Sequence, residues 1–313
     1  MNIRTTTLGY SDRMVNQLMN SQSSMLDLQL KMTTQKNINK PSDNSVAAAQ
    51  LLVLNKQQNS IETYKTNIAT AREQLDMMDS SLASVLDLVQ RANELAIQGS
   101  NETYSASQLK GLKGEVDQTI QAIVDFANTK YNGQYIFSGN NVAYPAYTVA
   151  DDGSVVYNGS NSAADSQRKI EIMEGVEVPL NVNGVDIFGY YDNSVPTAPG
   201  GTGLFKALSD LSKALGEDPP DVTAISAQIG PIQDGLNTVN NIRTQYGAYS
   251  SKRLDMTESY LSDLSMSLSQ QKSAIEDLDL VKALTDLNNQ TYAYQASMQT
   301  MSVALKLSLI DYM

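Results

Sequence analysis

The chain contains neither histidine nor cysteine in its 313 residues. Without histidine it lacks the usual proton shuttle near neutral pH, and without either residue it lacks the nitrogen and sulfur ligands that zinc sites prefer. The missing thiol also removes a common nucleophile and any disulfide framework, so packing alone must hold the fold. Positive charge is scarce: 22 Lys and Arg stand against 34 Asp and Glu, net −12, which repels nucleic acid rather than steering it in. No apolar run approaches the roughly 18 residues of a membrane span. The opening MNIRTTTLGYSDRMVNQ has no apolar core or small-residue cleavage site of a general secretory signal. The expectation is a chain that binds neither nucleic acid nor membrane, and that stays in the cytosol or leaves by a route reading another feature. At about 150 residues per domain, the length suggests two domains or one multi-part body.

Proline and glycine are also absent from long stretches, and this divides the chain. Seven of the eight prolines lie between Pro145 and Pro231, and 11 of the 18 glycines between Gly133 and Gly216. The outer stretches, 42–132 and 232–313, have no proline and a composition suited to long helices. In the first of them apolar residues recur every seven positions at Leu54, Ile61, Ile68, Leu75, Leu82, Val89 and Ala96. A companion series runs Tyr64, Ala71, Met78, Val85 and Ala92. So sustained an a/d pattern predicts a straight coiled-coil-like rod from about Ser45 to Gln98, roughly 80 Å long. Gly99 sits where a C-cap glycine belongs, and Ser105 with Gln108 reads as a capping box. The helix that follows presents Leu109, Leu112, Val116, Ile120, Ile123 and Ala127 on one face, spacing that suits an antiparallel return along the rod.

From Tyr131 the period falls to two. YIFSG, SVVYNGS, KIEIMEG and VEVPLNV read as strands, with turns at Asn132-Gly133, Asp152-Gly153 and Asn183-Gly184. The Gly-rich run 197–203 reads as an exit linker, and short helices are expected near Leu204 to Leu215 and Ala224 to Gly235. The return rod repeats the heptad at Leu254, Leu261, Leu268 and Ile275. Its phase shifts across Asp277 to Val281, which predicts a kink or a separate helix.

Both chain ends then carry an amphipathic helix. Met14, Leu18, Met25, Leu28 and Met32 form a stripe that stops at Asn37 to Asp43, where Pro41 interrupts. Leu284, Leu287, Tyr294, Met298, Met301, Leu305, Leu309 and Tyr312 lie on the other terminal helix. Such stripes need cover. Two readings remain open: the ends pair with each other, or they order only when neighbouring copies pack around them, a use to which methionine's adaptability is suited.

Chemistry finds little footing. Asp76/Asp79 read as a solvated helix edge and Asp151/Asp152 as a hairpin turn. Glu276, Asp277 and Asp279 form the remaining carboxylate cluster. No EF-hand loop, phosphate-cradling glycine loop or Gly-x-Ser-x-Gly elbow is present. The Asn101-Glu-Thr and Asn158-Gly-Ser triplets match the glycan acceptor pattern and are assigned no function. No enzyme activity, cofactor or metal is expected.

Four stretches carry a resemblance: INKPSDNSVAAAQ (38–50), LDLVQRANELAIQGSN (86–101), ANTKYNGQYIFSGNN (127–141) and YAYQASMQTMSVALKLSLIDYM (292–313). In this order they resemble the bacterial flagellin superfamily. The opening, the Pro41-Ser42-Asp43 step, GQYIFSG and the ending SLIDYM resemble its hook–filament junction members more than filament flagellin, whose usual Leu-Leu-Arg-like tail is absent. The resemblance implies a mainly α fold with a β insertion. It implies termini paired as an inner domain (1–42 and 273–313), a rod (43–140 and 204–272) and a projecting central β domain (141–203). It implies a structural adapter at the hook–filament junction that assembles helically with itself through its terminal helices. Its neighbours would be another hook-associated junction protein and filament flagellin or its cap. It further implies extracellular placement, export by the flagellar type III apparatus and a cytosolic chaperone on the C-terminal helix. Filament flagellin itself, or a secreted β-domain binding module on a helical stalk, are the alternatives.

Overall fold

The computed structural model describes residues 3–150, 153–159, 167–192 and 200–310. It divides into two compact units, Met1–Ser60 with Asp263–Met313, and Ile61–Ser262. Helices α1 (Ile3–Thr34), α2 (Ser45–Gly99) and α3 (Ala106–Ala127) come first. Strands β1 (Lys130–Tyr131), β2 (Gln134–Tyr135), β3 (Tyr147–Val149), β4 (Val155–Tyr157), β5 (Lys169–Met173) and β6 (Val176–Pro179) follow. Next are α4 (Gly184–Phe188), β7 (Tyr190–Asp192), β8 (Gly200–Thr202), α5 (Gly203–Gly216), α6 (Val222–Ala227), α7 (Ile229–Ala248), α8 (Asp255–Glu276) and α9 (Leu280–Ile310). The predicted mainly α fold with a β insertion is therefore what the chain adopts.

In the central unit the heptad seam of α2 is buried from Ile61 to Ala96, with Ile68, Ala71, Leu82, Val85, Val89 and Ala92 wholly enclosed. The Ser105 capping box forms as read, with the Ser105 hydroxyl accepting from the Gln108 amide while the Gln108 side chain accepts from the Ser105 amide. Helix α3 runs back along α2: Arg91 reaches Glu115 at 2.7 Å, and the Ser81 hydroxyl donates to the Phe126 carbonyl. Gly99 is not a left-handed cap. It is the last helical residue, and its worth is space, since a Cβ there would stand 2.7 Å from Leu215 Cδ2.

A four-stranded antiparallel sheet, ordered β3-β4-β7-β8, and two hairpins make up the β insertion. Asn132 and Gly133 both take positive φ, as the two-residue turn between β1 and β2 requires. The turn expected at Asp151-Asp152 lies outside the described residues, as do 197–199, while β3 and β4 pair around it. Three strand-level readings change. Asn183-Gly184 is no hairpin: the Asn183 side chain accepts from the Val185 amide and caps α4. YIFSG is strand only at Tyr135; Ile136 and Phe137 are both buried, which breaks the alternation. Gly200–Thr202 is a strand and not linker, because glycine lets the backbone close on β7. A Cβ on Gly201 would lie 2.4 Å from the Tyr190 carbonyl.

Three of the four phenylalanines gather where the insertion meets α5. Phe137 and Phe188 meet edge-on at 5.4 Å, Tyr147 and Phe205 at 4.9 Å, and the Tyr147 hydroxyl donates to the Gly189 carbonyl. Enclosure raises the Tyr147 phenol well above its usual value and pushes Tyr157 up to about 12. Ion pairs close the unit: Arg243 grips Asp79 through two bonds of 2.8 and 3.1 Å, and Arg72 reaches Asp255 and Glu258. Asp79 stands on the solvated edge its spacing suggested, its side chain 45% exposed, and there it also anchors Arg243. A π-helical turn at Tyr249–Leu254 links α7 to α8, and no pattern in the sequence announces it.

Candidate assembly interface

The terminal unit is built around two chain breaks that find each other. Helix α1 stops at Thr34, where Gln35 takes a positive φ, and Asp43 organises the turn by accepting from the Asn39 and Lys40 amides. Those bonds hold the Asp43 carboxyl below its usual range. Asn44 accepts from the Ala47 amide as α2 begins. On the other strand of chain, α8 ends at Glu276 and Asp279 caps α9 by accepting from the Val281 and Lys282 amides. Between the breaks, the Asn37 amide donates to the Glu276 carbonyl at 2.7 Å and the Leu278 amide to the Gln35 carbonyl at 3.0 Å. The Lys36 ammonium sits 2.5 Å from Glu276, which raises the lysine's pKa. The predicted phase shift is a true helix break, and its acidic cluster is spent on caps and pairs.

From this hinge α1 and α9 run antiparallel against each other. Gln290 donates to Ser21, and the Thr291 hydroxyl points at Met25 Sδ, 3.8 Å away. Those contacts mark the inner side of α1, where Met14, Leu18, Met25, Leu28 and Met32 are all half-buried, the stripe that the spacing predicted. Helix α9 behaves differently. Leu287, Tyr294 and Met301 are half-buried with Gln290, Thr291 and Ser297, and Ala283 is buried, so its seam mixes apolar and polar residues. Leu284 and Met298 stand outside it, 48% and 51% exposed. The side chains of Leu305 and Leu309, and all of Tyr312, fall outside the described residues.

Sequence reasoning missed a second set of apolar residues. Met19, Leu26 and Leu30 form an exposed row of α1, roughly 140° around the helix from the inner stripe at 3.6 residues per turn. Val281, Tyr292 and Val303, spaced by 11 residues, form another on α9, exposed by 77%, 71% and 53%. Eleven residues are almost a whole number of turns, so that row runs straight along the helix. The signal was present in the spacing but hidden, because apolar residues fall on nearly every side of α9, interleaved with polar ones. Apolar side chains left on an open face need cover. No charged residue occurs from Met14 to Leu26 or from Leu287 to Leu305.

A helical terminal pair with uncovered apolar rows, in a chain of long helices with a β insertion, has the character of a structural subunit. Residues 6–142 match the bacterial flagellin N-terminal helical region and residues 229–313 the C-terminal helical region. The chain belongs to the bacterial flagellin family. It is 25% identical to flagellar hook-associated protein 3 of Salmonella typhimurium, over 99% of each chain. It is 23% identical to a flagellin of Bacillus subtilis, over 93% of this chain and 92% of that one. Its fold is similar to that of a putative flagellar hook-associated protein from Vibrio parahaemolyticus (TM-score 0.64, 19% identity, 75% of this chain and all of that one). It is likewise similar to flagellar hook associated protein-3 from Legionella pneumophila (TM-score 0.60, 16% identity, 71% of this chain and 99% of that one).

Proposed function

We propose that this chain is the adapter between flagellar hook and filament, a structural subunit that assembles through its terminal helices. The observation that carries the reading is the α1–α9 pair, free of charge from Met14 to Leu26 and from Leu287 to Leu305, with apolar rows left in solvent, in a chain aligned end to end with a hook-associated protein 3. A contact between unlike faces of identical subunits, repeated with a rotation that does not close, builds a helical tube. In this reading Met14, Leu18, Met25, Leu28, Met32, Leu287, Tyr294 and Met301 hold α1 against α9 and keep only their exposed edges for a neighbour, while Leu284 and Met298, with Leu305, Leu309 and Tyr312, supply contacts between subunits beside the exposed rows. The neighbours are a second hook-associated protein on one side and filament flagellin or its cap on the other. Residues 1–42 and 273–313 form the inner domain, the rod 43–140 with 204–272 lies outside it, and 141–203 projects.

Export through the flagellar type III apparatus, with a cytosolic chaperone over the C-terminal helix, completes the proposal. The uncovered rows of α9 support it, since a helix so exposed needs cover before assembly. Immunogold labelling of isolated appendages tests the adapter role. A single narrow band at the filament base is expected, and deletion of the gene should leave hooks without filaments. Label along the whole filament would replace the adapter with filament flagellin.

A further inference from the structure

Formal charge is divided unevenly along this chain. Residues 1–60 hold six Lys and Arg against three Asp and Glu, and residues 263–313 hold three against six, so the two halves of the terminal unit carry +3 and −3. The contrast sharpens around the hinge. From Asn44 to Ser60 there is one lysine, Lys56, and no acid, whereas Asp277 to Asp286 holds three aspartates and one lysine.

The first turns of α2 carry an uncovered stripe at i, i+3 and i+7: Val46, Ala49 and Val53, with Val46 and Val53 both mostly in solvent. With Leu54 at its floor and Gln271 and Ile275 of α8 as the far wall, the stripe lines an open groove. This is the shape into which an amphipathic helix lays its apolar side, read through anchors three or four residues apart. The first turn of α9 offers such anchors. Leu280, Val281 and Leu284 are exposed, and they sit among the three aspartates.

We propose that the groove between α2 and α8 receives the first turns of α9 from a second copy of this chain. Val281 and Leu284 seat against Val46, Ala49 and Val53, and Asp279 and Asp286 of the incoming helix face the acid-free α2 wall around Lys56, while Glu276, the acid beside the α8 wall, is held by Lys36 and Lys272. The contact joins unlike surfaces, so each subunit offers its groove to one neighbour and its α9 to another. It rests on the self-assembly reading above and specifies where that assembly engages.

Absence of cysteine makes a clean test. Cells lacking the native gene would co-produce two single-cysteine forms, Val53→Cys and Val281→Cys, and isolated appendages would be oxidised with copper phenanthroline. A disulfide-linked dimer that needs both forms is expected, about tenfold above a Val53→Cys and Lys169→Cys pair. If the chains are in the appendages, motility is restored and the two pairs cross-link equally or not at all, the inference is overturned while the adapter reading stands. If the chain is missing from appendages that otherwise form, both fall. Val53→Asp should cut filament number about tenfold, and Val53→Lys less than about threefold. Equal tolerance of the two would overturn the charge pairing.

Discussion

The two units of this chain bury their apolar residues to very different depths. Among the described residues of α1 with placed side chains none is fully buried, and on α9 only Ala283 is. In the central unit Phe137, Phe188 and Phe205 are wholly enclosed, as are Ile68, Leu82, Val85 and Val89 on the α2 seam. Charge follows the same division. The terminal unit has nine basic and nine acidic residues, and the central unit 13 against 25, so the whole net charge of −12 belongs to the latter. A neutral surface with half-covered methionines lets copies approach closely, and a strongly acidic one keeps them soluble and apart. On the proposed reading, one unit is finished as a monomer and the other is finished by its neighbours.

The largest break in that comparison would come from equal mutations with unequal cost. Phe205→Ala removes a ring packed against Tyr147 and Phe188 and should destabilise the central unit by about 3–5 kcal/mol in chemical denaturation. Met25→Ala, on a half-buried seam, should cost the isolated chain about 1 kcal/mol or less. Similar costs would mean that the terminal pair is as complete as the central core.

Alkali sharpens the contrast next. Burial pushes Tyr157 up to about 12, and burial with smaller contributions from Tyr249 and Asp186 pushes Tyr246 up to about 12 as well. A raised phenol favours the protonated folded state, so its contribution is full below the unfolded value near 10 and is lost as pH climbs from about 10 to 12. With discount for partial solvation, each contributes about 1–2 kcal/mol. Tyrosinate absorbance and circular dichroism recorded together should show the central unit melting across that window, and Tyr157→Phe with Tyr246→Phe should move the transition upward.

Much of this was legible in the sequence for a physical reason: the best-read features are local. The heptad from Leu54 to Ala96 is one helix burying one seam, and the Ser105 box and Asn132-Gly133 turn need only their own neighbours. What stayed hidden depends on distant chain. Asn183 caps a helix because α4 packs beneath the Phe137 carbonyl, to which the Gly184 amide donates. Gly99 makes room for a leucine more than a hundred residues away. On α9 the stripe through Leu284 and Met298 was drawn on a helix apolar on several sides, where periodicity alone cannot select the face that meets α1. The expected α1 stripe fared better because Asn, Gln and Ser separate its two apolar rows.

The smallest expected effect probes the hinge where the terminal pair begins. Asp279 accepts from the Val281 and Lys282 amides, filling two of the donors that a helix start leaves open, and its charge suits the positive end of the α9 dipole. Asp279→Ala removes both contributions, at a cost of about 1 kcal/mol. Because α9 gains so little from burial, that loss should appear locally: amide exchange from Leu280 to Leu287 should speed up about fivefold. The central unit's melting should not move. Asp279→Asn keeps the cap without the charge and should restore most of the protection. If exchange rose equally in the central unit, the terminal pair would share one cooperative transition with it, and a pair stabilised chiefly by neighbouring copies could not behave that way.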